Sequence, residues 1–183
     1  MSYVVAGMVL VGTVALLNLV LTFGVIRRLR EHTGLLAERD RPEGPAVMLA
    51  TGEAPDEFAA TTTGGERLTR DDLGGALVGF FSPNCGPCRE QAPLFVRRAA
   101  GTAGGRSRVL AVVVGDETAV AQMVAEFEPV ARVVVERGVA AEGSVSQAFG
   151  VRGFPALAVL DADGAVAASG FELDRLPAHA LVA

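Results

Sequence analysis

Phe80-Phe81-Ser82-Pro83-Asn84-Cys85-Gly86-Pro87-Cys88 decides how this chain is read. An apolar run, Ala76 to Phe81, feeds a short loop. That loop delivers the only two cysteines of the sequence to the start of a helical pattern from Cys85 to about Ala100. A ring closed over so short a span constrains the unfolded chain very little, so the pair is no fold-closing staple. A dithiol that makes and breaks its bond fits the spacing better. A helix N-terminus offers partial positive charge and unpaired N–H groups, which favour a thiolate at Cys85. Cys88, one turn inside, is expected to be more shielded. Cys85 is therefore the candidate catalytic nucleophile and Cys88 the resolving thiol. Gly86 and Pro87 form the loop between them. Pro87 stiffens that loop where a missing N–H costs little.

Working outward, the pattern alternates strand and helix. Arg108 to Val114 is a β-branched run and the clearest strand. Asp116 is placed to cap a helix through about Glu128. Arg132 to Glu136 reads as a strand, Ser144 to Phe149 as a short helical turn, and Ala156 to Leu160 as a further strand. Asp161-Ala162-Asp163-Gly164 is a tight turn feeding a last strand, Ala165 to Ser169. Val47 to Ala50 and Glu66 to Leu68 are expected to form a small added hairpin, and Glu172 to Val182 a closing helix interrupted or begun near Pro177. The fold class is α/β: a mixed sheet flanked by helices over residues 46–183.

Ahead of this domain, Tyr3 to Ile26 carries no charge. At about 1.5 Å per residue such a helix spans a hydrocarbon core of roughly 30 Å. Met1-Ser2 supplies no basic side chain and the apolar run is too long for a cleaved signal, so residues 3–26 are expected to be a transmembrane helix contacting lipid. Residues 27–45 read as a juxtamembrane stalk, charge-dense to Arg41 and then stopped by Pro42, Gly44 and Pro45.

Net charge is −5, divided as +2 over residues 1–41 and −7 over residues 42–183. An acidic domain without a basic patch argues against a nucleic-acid partner. All 16 basic residues are Arg. A zinc site needs two ligands beyond one C-x-x-C pair, and His32 and His179 lie far from it in sequence, so no metal is expected. Phosphate-loop and dinucleotide-binding glycine patterns are absent, and no organic cofactor is expected.

These residues resemble the thioredoxin superfamily, in particular its membrane-anchored TlpA-like and MauD-like thiol–disulfide oxidoreductases. The likeness covers about residues 52–172. It rests on Gly52-Glu53-Ala54-Pro55-Asp56-Glu57-Phe58, Leu73-Gly74-Gly75, the Ser82–Glu90 run around the dithiol, Phe149-Gly150-Val151-Arg152-Gly153-Phe154-Pro155-Ala156, and Asp161–Gly164, in that order and spacing. The resemblance implies a cis Phe154–Pro155 peptide facing the dithiol, where these two residues would bind a substrate segment. It also implies that Pro93 sits inside the helix after the cysteines. Its partners would be cysteine-bearing protein substrates, such as c-type cytochromes or a dehydrogenase subunit, and a redox recycling partner. It points to an extracytoplasmic domain, the side preferred here, whereas Arg27, Arg28 and Arg30 directly after the apolar segment argue for the cytoplasmic side.

The chain departs from the family at two places. The buried acid that thioredoxins carry six residues before the first Cys is Gly79 here, and the aromatic residue before that Cys is Asn84. Glu90 and Asp116 are the candidates to supply a carboxylate near the dithiol, with solvated surface roles the first expectation for each. Arg89 is expected to be a solvated helix residue. Two readings follow: a membrane-tethered thiol–disulfide oxidoreductase working through Cys85 and Cys88, or a non-catalytic thioredoxin-fold module that docks a membrane or secreted partner.

Overall fold

The computed structural model describes residues 47–177, and Gly7, which is helical. Two units divide the chain, Met1–Gly44 and Pro45–Ala183, and the described fold belongs to the second. The expected transmembrane helix (residues 3–26) and stalk (27–45) lie outside the described residues, Gly7 apart. Among the described residues no helix is long and apolar enough to cross a membrane.

Five strands form one sheet: β3 (Leu77–Phe81), β4 (Val109–Val114), β5 (Arg132–Glu136), β6 (Ala156–Leu160) and β7 (Val166–Gly170), in the order β5-β4-β3-β6-β7. β3 runs parallel to β4, and β4 to β5, while β6 is antiparallel to both β3 and β7. The sheet is mixed, as expected. β3, β4 and β6 are buried along their whole lengths, which is why their sequences are unbroken apolar runs. Helices α1 (Gly86–Ala100), α2 (Glu117–Phe127) and α3 (Val145–Ala148) complete the domain.

Side chains alternate across the sheet and build two cores. Val78 and Phe80 of β3 join Phe58, Leu110 and Phe149 on one face. Leu77 and Phe81 join Cys88, Phe95 and Phe127 on the other, beneath α1 and α2. Phe81, Phe95 and Phe127 form a closed aromatic trio with ring centroids 4.8 to 5.6 Å apart.

Three expectations need correction. The added hairpin pairs β1 (Ala59–Thr61) with β2 (Arg67–Thr69), and Val47–Ala50 takes no part in it. The turn decides this: Gly65 adopts φ 81°, the Thr62 N–H donates to the Glu66 carbonyl, and the Thr62 hydroxyl accepts from the Glu66 N–H. Val47 and Leu49 bond instead to Arg152 and Phe149, tying the entrance of the domain to the segment before Pro155. Second, Asp116 precedes α2 but its side chain makes no capping bond; its backbone carbonyl accepts from Ala119 and Val120. Third, no helix begins at Glu172. Leu173–Arg175 is a single 3₁₀ turn and Leu176 is extended. The Arg98 guanidinium of α1 donates to the carbonyls of Leu173, Leu176 and Pro177, holding them away from helical partners. Residues 178–182 of that expected helix lie outside the described residues.

Candidate active site

β3 ends at Phe81, and Ser82-Pro83-Asn84 turn the chain into α1. Cys85 is the N-cap of that helix, with extended backbone, Gly86 and Pro87 opening its first turn, and no acidic residue there. The Cys88 N–H donates to Cys85 Sγ at 3.2 Å, so the sulfur fills the capping place usually taken by a side-chain oxygen. A helix of 15 residues presents its positive end to that sulfur. Pro93 lies inside the same helix.

The second half of the site comes from the far side of the sequence. The Phe154–Pro155 peptide is cis and opens β6, the antiparallel neighbour of β3. The Cys85 thiol donates to the Phe154 carbonyl at 3.4 Å. Pro155 is buried and Phe154 half-buried, packed against both cores. The dithiol and Phe154-Pro155 thus meet because strand pairing of β3 with β6 brings their ends together.

The two sulfurs have different surroundings. Cys85 is half-buried, Cys88 fully buried, and both are free thiols. The Ser82 N–H donates to Cys88 Sγ at 3.5 Å. Burial pushes the Cys88 thiol up to about 12, helped by its hydrogen bond to Cys85 and by the charge of Cys85, while the Ser82 N–H pulls the other way. Cys88 therefore stays protonated at neutral pH.

Other sequence candidates fall away from the sulfurs. Glu90, Asp116 and Arg89 are exposed, and none of them exerts a charge effect on Cys88. Asn84 is exposed as well. At Gly79 the space is taken: a Cβ there would lie 2.6 Å from a Phe81 ring carbon and 2.7 Å from one of Phe95. The aromatic trio occupies the place where a buried acid would stand.

Two participants escaped the sequence reading. The backbone N–H of Ser82 has no side-chain signature. Glu136, at the end of β5, accepts from the Val145 and Ser146 N–H groups at 2.6 and 3.2 Å and so anchors α3, the helix that leads towards Phe154. A strand-ending acid eight to ten residues ahead of a short helix is the one hint the sequence held.

A thiol pair at the head of a helix, one buried and one reachable, beside a proline-led strand of a mixed sheet, defines a thioredoxin-like dithiol protein. The profile of the Redoxin family matches residues 50–177, and the chain belongs to that family. No curated protein matches it in sequence. Among solved structures it is similar to the thioredoxin domain of a thiol-disulfide oxidoreductase from Bacteroides vulgatus, at 19% identity and TM-score 0.55, covering 69% of this chain and 91% of that one. It is similar to a putative thiol:disulfide interchange protein from Chlorobium tepidum, at 23% identity and TM-score 0.51, over 69% and 89% of the two chains. A thiol:disulfide interchange protein from Bacteroides sp. matches at 19% identity and TM-score 0.52, over 73% and 86%. These likenesses establish the thioredoxin-like fold.

Proposed function

We propose that this protein is a membrane-tethered thiol–disulfide oxidoreductase of the TlpA-like and MauD-like kind, exchanging disulfides with cysteine-bearing protein clients. The observation that carries the reading is the setting of Cys85 Sγ, between the Cys88 N–H at 3.2 Å and the Phe154 carbonyl at 3.4 Å. A sulfur there is reachable from solvent, is held at the positive end of a helix, and has its resolving partner one turn behind it. Cys85 attacks a client disulfide and forms a mixed disulfide, and Cys88 then closes the ring and releases the client. Phe154 and Pro155 form the wall against which the client segment lies. Residues 3–26 anchor the enzyme in the membrane, its domain on the extracytoplasmic side, where client disulfides persist. A separate redox partner returns the dithiol to its working state.

The test uses the full chain in detergent micelles, with reduction of insulin as the assay. Cys85→Ser is expected to abolish turnover, and Cys88→Ser to leave the protein captured as a mixed disulfide with insulin. Undiminished turnover by Cys85→Ser would end this reading, and no turnover by the unaltered protein would leave the docking module.

A further inference from the structure

Phe154 and Pro155, the wall for a client segment, stand at the end of the loop that leaves α3 at Phe149. That loop is held from outside. The Leu49 N–H donates to the Phe149 carbonyl at 3.0 Å, and the Arg152 N–H donates to the Val47 carbonyl at 2.8 Å. The stretch through which the chain enters the domain thus fixes the loop at both Phe149 and Arg152. Between them, the Val151 N–H donates to the Ser146 carbonyl of α3 at 3.0 Å. Just beyond Arg152, the Phe154 carbonyl accepts from the Cys85 thiol.

The entrance segment is itself fixed. Met48 is 2% exposed and sits in the core that holds Phe149 and Val151. Val47 and Leu49, on either side of it, pack against the same core, as does Phe154. The Ser169 hydroxyl of β7 donates to the Leu49 carbonyl at 3.0 Å, across 120 positions of sequence. Ser169 stands opposite Ala158 of β6 and shares its face of the sheet, the face of that core. Further along, the Gly52 N–H donates to the Val166 carbonyl and the Val166 N–H to the Glu53 carbonyl, both at 2.8 Å. β7 therefore grips the entrance segment by a side chain at Leu49 and by backbone at Gly52 and Glu53. β7 is in turn bonded to β6, the strand that Phe154-Pro155 opens. The bonds close a circuit: β7 to Leu49, Leu49 to Phe149, then along the loop through Phe154 and Pro155 to β6 and back to β7.

We propose that the entrance segment Val47–Leu49 is a clip that positions Phe154 and Pro155 for the client, and that Ser169 is the positioning residue that sets this clip. The inference rests on the oxidoreductase reading above and names what places the client wall of that site. Ser169 acts through Leu49 and the loop, at a distance from the chemistry. A client segment binds best to a wall that already stands in its bound position, because ordering the wall during binding costs affinity. The dithiol is carried by α1 and by the end of β3, so loosening the clip leaves both sulfurs where they are. What changes is how tightly a client is held beside them. A contact made equally to the bound client and to the reacting one acts on KM and spares kcat. The clip also lies close behind residues 27–45 in sequence. The point where the chain enters the domain and the wall that receives the client therefore share one set of hydrogen bonds.

The experiment measures insulin reduction by the full chain in micelles over a range of insulin concentrations, with dithiothreitol returning the dithiol. Ser169→Ala removes the hydroxyl. It is expected to raise KM about threefold to tenfold, the span that one neutral hydrogen bond carries, with kcat held within about twofold. Ser169→Thr keeps a hydroxyl and is expected to match the unaltered protein. A Ser169 that served folding alone would lower the folded fraction in Ser169→Ala, which lowers kcat and leaves KM where it was. An unchanged KM in Ser169→Ala, with or without a fall in kcat, would overturn the inference while leaving the oxidoreductase reading intact. Absence of turnover by the unaltered protein would overturn both.

Discussion

The thiol of Cys85 donates to the carbonyl of Phe154, 69 residues further along the chain, across 3.4 Å. One sulfur thus touches both halves of the site: the helix it caps and the loop that opens β6. The Cys88 backbone N–H and the Phe154 carbonyl hold it in place, and both remain when the Cys88 side chain is changed. Cys88→Ser is therefore expected to leave Cys85 in place and reactive. Alkylation followed by mass spectrometry should find one fast-labelling thiol in that variant, and none in Cys85→Ser near neutral pH.

The buried thiol makes stability depend on pH in a definite direction. Cys88 sits at about 12 in the fold against an ordinary 9.0. Below the ordinary value both folded and unfolded chains hold the proton and nothing is lost. Above it the unfolded chain releases the proton and the folded chain keeps it, so stability falls as pH climbs through this window. The chain has no Lys, and its one Tyr is Tyr3, so few other side chains titrate there. Denaturant midpoints of the reduced protein should drop between pH 9.0 and about 12. The same titration of Cys88→Ala should be flatter.

Gly79 is held to glycine by packing. An added methyl would meet ring carbons at 2.6 and 2.7 Å, inside the trio of Phe81, Phe95 and Phe127. Gly79→Ala is expected to lower stability by about 1–3 kcal/mol, the usual cost of overpacking a core. Gly79→Asp should lower it further, since a carboxyl there would also be buried without a partner. Urea unfolding, read as a shift in midpoint at constant slope, measures both.

Glu136 ties the end of β5 to the start of α3 by two bonds to backbone N–H groups. Glu136→Ala removes both and is expected to cost about 1–3 kcal/mol, the range for hydrogen bonds to a charged group. Glu136→Gln should cost less, because its amide oxygen still accepts. Since α3 runs into Phe149 and then to Phe154, hydrogen exchange in residues 145–154 should quicken in the alanine variant and stay slow in β4.

Sidedness is open to direct measurement. A membrane-impermeant thiol reagent applied to intact cells is expected to label Cys85, as an extracytoplasmic domain requires. Labelling only after lysis would put the domain on the side that Arg27, Arg28 and Arg30 favour.

Much of the fold could be read from short windows. The β4 run, the β6 run and the helix after Cys85 announced themselves through β-branched content, unbroken apolar stretches and a proline at a helix start. The hairpin was misread because its strands are only three residues long, and their register follows from the Gly65 turn rather than from any periodicity. The closing helix was misread because its carbonyls answer to Arg98, a side chain on another element. Glu136 and the Ser82 N–H were missed for a related reason: each acts on a group brought to it by folding.

From its sequence alone this protein was bound to carry a dithiol at a helix start on an α/β sheet, because spacing, capping and apolar patterning act between residues close in the chain. Only the tertiary structure decided that Phe154 meets Cys85, that aromatic rings fill the space at Gly79, and that Cys88 lies fully buried. Those are relations between residues separated by many positions. They are set by strand order and by the volume left between packed side chains, which no local pattern encodes.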